Sequence, residues 1–236
     1  MSIYVTGDTH GEMQMRRLSH KAWPLGKDLC KEDYVIIAGD FGLIWNNNVS
    51  QEEFYWLKWL NDKPWTTLFV DGNHENHKRL NRLHIERKFG GKVGIVGRDV
   101  FHLKRGEIYE IDGKKIFTFG GADSVDKAWR TVDVSWWKEE IPNHKEMTYG
   151  LENLEKHGNK VDYIITHTAP NELVNMLVTN MKITELSKDY TSDPTQNYLD
   201  EVCKLTDFKK LYCGHFHIDE DYGKYHFLWD RILEVK

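Results

Sequence analysis

The stretch Ile3-Tyr4-Val5-Thr6-Gly7-Asp8-Thr9-His10-Gly11 joins a short apolar run directly to polar residues set among glycines. The same order recurs where Tyr34–Ala38 leads into Gly39-Asp40, and where Thr67–Val70 leads into Asp71-Gly72-Asn73-His74-Glu75. The apolar runs are continuous rather than alternating, which is typical of strands covered on both faces. The three stretches therefore predict buried strands, each ending in a polar loop.

The segments around these strands predict a mixed α/β fold. Gln51–Asn61 has apolar residues at helical spacing behind a Ser50 N-cap, so the N-terminal part of the chain suggests βαβ units. Ile108–Ile116 reads as two strands joined by an Asp-Gly turn, which indicates an antiparallel hairpin. Further strands are predicted at Lys115–Phe119, Tyr163–Thr166 and Leu211–Cys213, and further helices at Met147–His157 and Gln196–Thr206. Because no repeat or Gly/Ser linker interrupts the pattern, we expect one α/β domain over residues 1–236.

Composition and charge exclude several classes of protein. The chain has 236 residues, of which 40% are hydrophobic and 29% charged, and its formal net charge is −5. This composition excludes collagen-like and extensively disordered chains, and the acidic balance argues against an extended duplex nucleic acid as partner. Three cysteines without a C-x-x-C motif favour a reducing compartment. The apolar runs are too short to cross a membrane and no signal peptide is apparent, so we expect a cytoplasmic protein without a membrane partner.

Residues suited to metal binding or acid–base chemistry follow five of the predicted strands. In α/β sheets, ligands bind outside the carboxyl ends of the strands, so these side chains are expected to meet there. The pairs Asp8 with His10 and His215 with His217 are spaced i, i+2, which places both side chains of a pair on one side of an extended backbone. Each motif alone is more often a turn or loop, but together they predict one convergent site. Its candidate residues are Asp8, His10, Asp40, Asn73, His74, His167, His215 and His217.

The order of these motifs resembles that of the calcineurin-like metallophosphoesterases. Asp-x-His, Gly-Asp, Gly-Asn-His-Glu, a lone His and Gly-His-x-His follow one another from Asp8 to His217, which is nearly the whole chain. The resemblance implies a two-sheet mixed β-sandwich flanked by helices, an α/β/β/α arrangement. It also implies two divalent metal ions and the hydrolysis of phosphomonoesters or phosphodiesters.

The resemblance further implies a role for each site residue. One ion would be bound by Asp8, His10, Asp40 and His217. The other would be bound by Asp40, Asn73, His167 and His215, with Asp40 bridging the two ions. His74 would face the substrate as a general acid or charge stabiliser.

The chemistry of phosphoester hydrolysis agrees with this ligand set. Two ions about 3.5–4 Å apart can generate a bridging hydroxide and clamp the oxygens of an in-line displacement. A carboxylate suits the bridging position because it has two oxygens and a charge that reduces repulsion between the ions. Imidazole, carboxylate and amide ligands without thiolate favour Mn²⁺, with Fe or Zn²⁺ as alternatives, whereas Mg²⁺ and Ca²⁺ prefer oxygen ligands.

The residues of the predicted site are compatible with several substrate classes. Hydrolysis of phosphomonoesters and hydrolysis of phosphodiesters are nearly equally favoured, because one metal pair serves both reactions. The expected partner is a small phosphoester or nucleotide. Protein Ser/Thr phosphatases continue their Gly-Asp motif with Asp-Arg-Gly, whereas Gly39-Asp40 continues as Phe41-Gly42-Leu43-Ile44-Trp45, which disfavours a phosphoprotein. A nuclease and a non-catalytic phosphate-ligand sensor are two further candidates that the same fold would accommodate.

Weaker signals lie in the segment from Gly120 to Trp137. Arg130 is a candidate substrate-binding residue because a guanidinium can bind phosphate oxygens bidentately, although a structural arginine is the alternative. Trp136 and Trp137 could stack on a nucleobase, but packing in the core is the favoured interpretation.

Overall fold

The computed structural model describes residues 1–180 and 193–236, and within these ranges its strands form two mixed sheets. The strands are β1 (Ile3–Thr6), β2 (Tyr34–Ala38), β3 (Thr66–Val70), β4 (Ile85–Lys88), β5 (Gly91–Gly97), β6 (Val100–Leu103), β7 (Ile108–Ile111), β8 (Lys114–Phe119), β9 (Tyr163–Thr166), β10 (Lys210–Cys213), β11 (Glu220–Tyr222), β12 (Tyr225–Phe227) and β13 (Ile232–Glu234). The α-helices are α1 (Glu12–Met15), α2 (Gln51–Asn61), α3 (His77–Leu80), α4 (His144–Lys156), α5 (Asn171–Thr179) and α6 (Pro194–Leu205).

Each sheet has a parallel centre and antiparallel edges. The first sheet orders its strands β13-β1-β2-β3-β6-β5-β4, with β1, β2, β3 and β6 parallel. The second orders them β11-β12-β10-β9-β8-β7, with β12, β10, β9 and β8 parallel. The carboxyl ends of β1, β2 and β3 therefore share one edge of the first sheet, and those of β9 and β10 share one edge of the second.

Alternate side chains of the central strands enter different cores. In β1, Ile3 and Val5 pack into the core between the two sheets, while Tyr4 packs against the helices that cover the first sheet. In β9, Ile165 enters the same central core and Ile164 packs on the other side, against residues of α4, α5 and α6. The layers are thus helix, sheet, sheet and helix, and the predicted α/β/β/α sandwich is confirmed.

The predicted helices and hairpin are present, with shifts at some ends. The Ser50 hydroxyl accepts the Glu53 N–H at 3.0 Å, which caps α2 where the sequence predicts. The Asp112-Gly113 turn has φ of 54° and 67°, as the tight hairpin between β7 and β8 requires. Helix α4 begins at His144 rather than at Met147, because the segment before it forms a capping box that periodicity alone does not reveal.

No helix within the described ranges is both long and apolar enough to span a bilayer.

A buried charged network lies at the end of β3. Asp71 is 2% exposed, and its carboxylate accepts hydrogen bonds from Arg105 Nε at 2.8 Å and His102 Nε2 at 2.9 Å. Arg105 is also buried, and its Nη2 donates to the main-chain carbonyls of Glu139 and Glu140 at 3.0 and 3.1 Å. Arg105 therefore joins the first sheet to the segment that precedes α4.

Arg105→Ala should lower the free energy of unfolding by about 3–5 kcal/mol, because it leaves the buried Asp71 carboxylate without its cation. Arg98→Ala is the matched control, since the Arg98 side chain is 71% exposed and its ion pair with Asp99 should contribute about 1 kcal/mol or less. Chemical denaturation of the two variants measures the difference. Equal, small losses would contradict a stabilising role for the buried network.

Candidate metal centre

The loops after β1, β2 and β3 are joined by hydrogen bonds to one residue. The main-chain carbonyl of Asp40 accepts the His10 N–H at 2.8 Å, and its side-chain Oδ1 accepts the His74 N–H at 2.7 Å. Asp40 thus holds the polar loops of three neighbouring strands together.

The loops after β9 and β10 close onto the same place from the second sheet. The His215 N–H donates to Asp8 Oδ1 at 3.0 Å, and the Gly214 N–H donates to the His167 carbonyl at 2.9 Å. All five predicted strand-end loops therefore converge.

Three side chains form the first group of candidate ligands. His10 Nε2 lies 3.0 Å from His217 Nε2, and His217 Nε2 lies 3.1 Å from Asp8 Oδ2. The potential ligand atoms of these residues all lie within 4.8 Å of one another. The arrangement matches three of the residues that the sequence assigns to one ion.

A second group lies beside the first. His167 Nε2 is 3.0 Å from Asn73 Oδ1 and 3.4 Å from Asp40 Oδ1. The rings of His215 and His167 meet edge to face, with centroids 4.8 Å apart. These are the four residues assigned to the other ion.

Asp40 faces both groups with different oxygens. Its Oδ1 lies on the side of His167, whereas its Oδ2 lies 3.8 Å from His10 Nε2. A bridging carboxylate needs this placement. The ligand roles of these residues stay predictions, but the structure brings together every residue that the sequence proposes.

The charge state of the centre suits cations. Burial alone would raise the pKa of Asp40, but the neighbouring imidazoles, foremost that of His167, hold this pKa below its ordinary value. Burial also opposes ionisation of Asp8, while the bond to His217 keeps the Asp8 pKa low. Burial lowers the pKa of His215 to about 3, so that ring is neutral and able to bind a metal. Two buried carboxylates and several imidazoles, of which His217 is partly exposed, converge here without a thiolate in either group. This donor set fits divalent transition ions.

Four candidate ligands have a backbone conformation that is uncommon for residues other than glycine. The φ angles are 43° at His10, 43° at Asp40, 69° at His215 and 52° at His217. Such conformations cost on the order of 1–3 kcal/mol each and collect at functional sites, where the surroundings enforce them. Here the hydrogen bonds between the loops provide that enforcement.

Two glycines leave room for the carboxylates. A Cβ atom on Gly214 would lie 2.0 Å from Asp8 Oδ1, and one on Gly72 would lie 2.1 Å from Asp40 Oδ1. Neither position can carry a side chain while the carboxylates stay where they are.

His74 and Arg130 meet at the edge of the centre. His74 Nε2 lies 3.0 Å from Arg130 Nη2, and Arg130 Nε lies 2.7 Å from Asp126. Burial and the Arg130 charge lower the pKa of His74, although Asp40 opposes them. One potential ligand atom of His74 also lies within 4.8 Å of those of His10 and Asp40, so the ring is close enough to bind metal.

A cavity of about 580 Å³ opens over the centre between two tryptophans. Trp45 stacks on His74 with ring centroids 5.8 Å apart, and Trp229 lies against His217 with centroids 3.9 Å apart. Arg17 fixes Trp229 in place, because its guanidinium donates to the carbonyls of Trp229 and Asp8. The cavity is lined by His10, Met13, Gln14, Gly42, Trp45, His74, His217 and Trp229.

Sequence reasoning missed several residues around the centre. Glu75 belongs to the quoted Gly-Asn-His-Glu motif but had no predicted role. Its carboxyl accepts the N–H groups of Gly72 at 2.8 Å and Gly42 at 3.2 Å, and burial, together with Asp40, raises its pKa to about 8. Trp229 carries no local signal, because only the folded chain places it beside His217.

Trp136 and Trp137, the tryptophans considered from the sequence, do not line the cavity. Trp137 is 1% exposed, and Trp136 Nε1 donates to Glu140 at 2.7 Å. Nucleobase stacking therefore has no support at these two positions, whereas Arg130 does lie at the site.

Sequence comparison identifies one matching family, described as calcineurin-like phosphoesterase, whose profile covers residues 1–219. Every candidate ligand lies within that range. No curated protein matches the chain.

Asp40→Asn should weaken the binding of both metal ions, because Asp40 presents one carboxylate oxygen to each group. His217→Ala should mainly empty one site, because His217 belongs to the first group alone. Elemental analysis of metal per chain after dialysis, with Mn²⁺ titration of each variant, measures both effects. Retention of two ions at wild-type affinity by Asp40→Asn would show that Asp40 does not bridge.

Proposed function

The chain belongs to the calcineurin-like phosphoesterases and is a metal-dependent hydrolase of phosphoester bonds, and we propose that its substrate is a small phosphoester carrying a nucleobase or a similar flat ring. The observation that carries the proposal is the pair of tryptophans, Trp45 and Trp229, on either side of the candidate metal centre.

The cavity has the size and lining of a small-molecule site. Its volume of about 580 Å³ lies within the range of about 300–1,000 Å³ that is common for such sites. Stacking of a base on an aromatic side chain contributes about 1–3 kcal/mol and does not depend on base identity. A nucleotide would place its base on a tryptophan and its phosphate at the centre.

The proposed ligands of the two metal ions correspond to the two groups of side chains described above. Asp8, His10 and His217 would hold one ion, and Asn73, His167 and His215 the other, with Asp40 between them. When bound, such a pair acidifies a water molecule and offsets charge on the phosphoryl oxygens. Mn²⁺ is the proposed metal, with Fe or Zn²⁺ as alternatives, because the ligands combine imidazole with oxygen donors.

His74 and Arg130 would act on the substrate beside the ions. The Arg130 guanidinium has only donors, so the contact at 3.0 Å makes His74 Nε2 the acceptor and leaves the proton of the neutral ring on Nδ1. From this position Arg130 can bind a phosphoryl oxygen, and the Nδ1–H of His74 can stabilise charge on the leaving oxygen by a hydrogen bond. To protonate that oxygen, His74 must first take up a second proton on Nε2, which requires Arg130 to move from His74 to the substrate.

Two observations weigh against a protein phosphatase and a nuclease. Leu43 and Ile44, in the segment where a protein Ser/Thr phosphatase has its Asp-Arg-Gly, are 4% and 2% exposed and pack in the core, so they offer nothing to a phosphoprotein. The net charge of −5 disfavours a nuclease that grips duplex nucleic acid. A non-catalytic sensor is less favoured, because no proposed ligand is missing.

His74→Asn should lower kcat by about 10²–10⁴-fold while metal content stays at the wild-type value, because general acid catalysis contributes that much. The loss should shrink for p-nitrophenyl phosphate, whose leaving group needs little protonation. Kinetics on a good and a poor leaving group, combined with metal analysis, test the role. Loss of one ion would instead make His74 a ligand, and an unchanged rate would remove it from the mechanism.

Trp45→Leu and Trp229→Leu should raise KM for a nucleoside 5′-monophosphate by about 5-fold or more, in line with a lost stacking contact. The same variants should leave KM for ribose 5-phosphate nearly unchanged, because this substrate differs only in lacking the base. Trp129→Leu is the matched control, since Trp129 is 92% exposed and lies outside the cavity lining.

Equal KM changes for both substrates would overturn the proposed substrate class without affecting the phosphoesterase activity itself. Assays with p-nitrophenyl phosphate and bis-p-nitrophenyl phosphate in Mn²⁺ establish that activity and separate monoester from diester preference.

A further inference from the structure

The Asn73 side chain is held from both ends. Its Oδ1 lies 3.0 Å from His167 Nε2, on the side of the candidate metal centre, and its Nδ2 donates to Ser124 Oγ at 3.1 Å on the other side. The two ends of an amide have nearly the same shape, but only the oxygen can bind a cation. The orientation of this amide therefore decides whether Asn73 is a ligand.

Ser124 is in turn held by a buried carboxylate. Its hydroxyl donates to Glu140 Oε2 at 2.8 Å, and its main-chain N–H donates to Glu140 Oε1 at 2.7 Å. Trp136 Nε1 donates to the same Oε1 at 2.7 Å. Ser124 is 1% exposed and Glu140 is fully buried, so water does not replace these bonds.

These hydrogen bonds run in series from Glu140 through Ser124 to Asn73, and the direction of each one determines the direction of the next. The two donors on Glu140 Oε1 are N–H groups, which cannot accept. The carboxylate can only accept, so the Ser124 hydroxyl must point its hydrogen at Oε2 and its lone pair at Asn73. That lone pair can be met only by the Asn73 NH₂ group, which turns the amide oxygen toward His167.

We infer that Ser124 and Glu140 are positioning residues, which orient the Asn73 amide so that its oxygen faces the metal centre. The inference rests on the proposed function, in which Asn73 is a ligand. Neither residue lines the cavity over the centre, and neither is a proposed ligand.

Glu140→Gln reverses this hydrogen-bond chain with almost no change in shape. The new side-chain oxygen stays at the Oε1 position, because two N–H donors meet it there, so the new NH₂ group faces Ser124. The hydroxyl then accepts from that group and donates toward Asn73, which favours the flipped amide. The affinity for one of two Mn²⁺ ions should fall by about 10–100-fold, as is common when a partner of a ligand is lost, and the other site should be unchanged.

In a protein that also carries Asn73→Asp, Glu140→Gln should change the Mn²⁺ affinity in the opposite direction. Both atoms of the new carboxylate are acceptors, so the Ser124 lone pair repels it when Glu140 is present. With Glu140→Gln the hydroxyl donates to the carboxylate instead. Glu140→Gln should therefore weaken Mn²⁺ binding when Asn73 is present and strengthen it together with Asn73→Asp.

Isothermal titration calorimetry with Mn²⁺ measures both backgrounds. The titrations are run at pH 8, since burial raises the pKa of Glu140 to about 7 and the carboxylate must be ionised. Ser135→Ala is the control, because Ser135 Oγ lies in the same segment but bonds the Thr131 N–H, and it should leave both sites unchanged. If Glu140→Gln does not fold, Ser124→Ala replaces it and should likewise weaken binding with Asn73 and strengthen it with Asn73→Asp.

A change of the same sign in both backgrounds, or none in either, would overturn the positioning role and leave the proposed function intact. A wild-type protein that binds no Mn²⁺, Fe or Zn²⁺ would overturn both.

Discussion

Two carboxylates buried side by side, Asp8 and Asp40, are the constraint on which the rest of the site depends. Burial disfavours the ionised form of both, and the charge of Asp40 further opposes ionisation of Asp8, so neither would stay ionised without nearby positive charge. The imidazoles around them offset this cost, and metal ions held by the same carboxylates would offset it further. Asp40 also accepts main-chain hydrogen bonds from the loops after β1 and β3, so one residue links the electrostatics of the centre to the geometry of the loops.

Features with a local cause could be predicted from the sequence. The short apolar runs located β1, β2 and β9 to the residue. The Asp112-Gly113 pair located the hairpin, because both central positions of that turn need positive φ. Convergence of the ligands followed from their places at strand ends. What the sequence did not reveal depends on contacts between distant segments. Trp229 precedes β13, and it comes close to His217 because β13 pairs with β1 in the folded chain. Ser124 has no sequence feature that distinguishes it from any other loop serine.

One side chain, that of Arg105, contributes both to the stability of the fold and to the geometry of the site. Arg105 compensates the Asp71 carboxylate at the end of β3 and also binds the main-chain carbonyl of Glu140, whose own carboxylate holds Ser124. Asp71 directly precedes the loop that carries Asn73 and His74. A buried cation thus ties the strand that presents these two residues to the segment that orients one of them, and the scaffold and the centre are not independent.

The close approach of Gly72 and Gly214 to the carboxylates has a consequence for how this protein can diverge. A ligand side chain can be replaced by another of similar length and donor type, whereas neither glycine can be replaced while Asp8 and Asp40 keep their positions. Any variant that keeps both carboxylates in place must keep glycine at positions 72 and 214, whatever its substrate is. The two absent side chains are therefore as necessary to the site as the carboxylates that they accommodate.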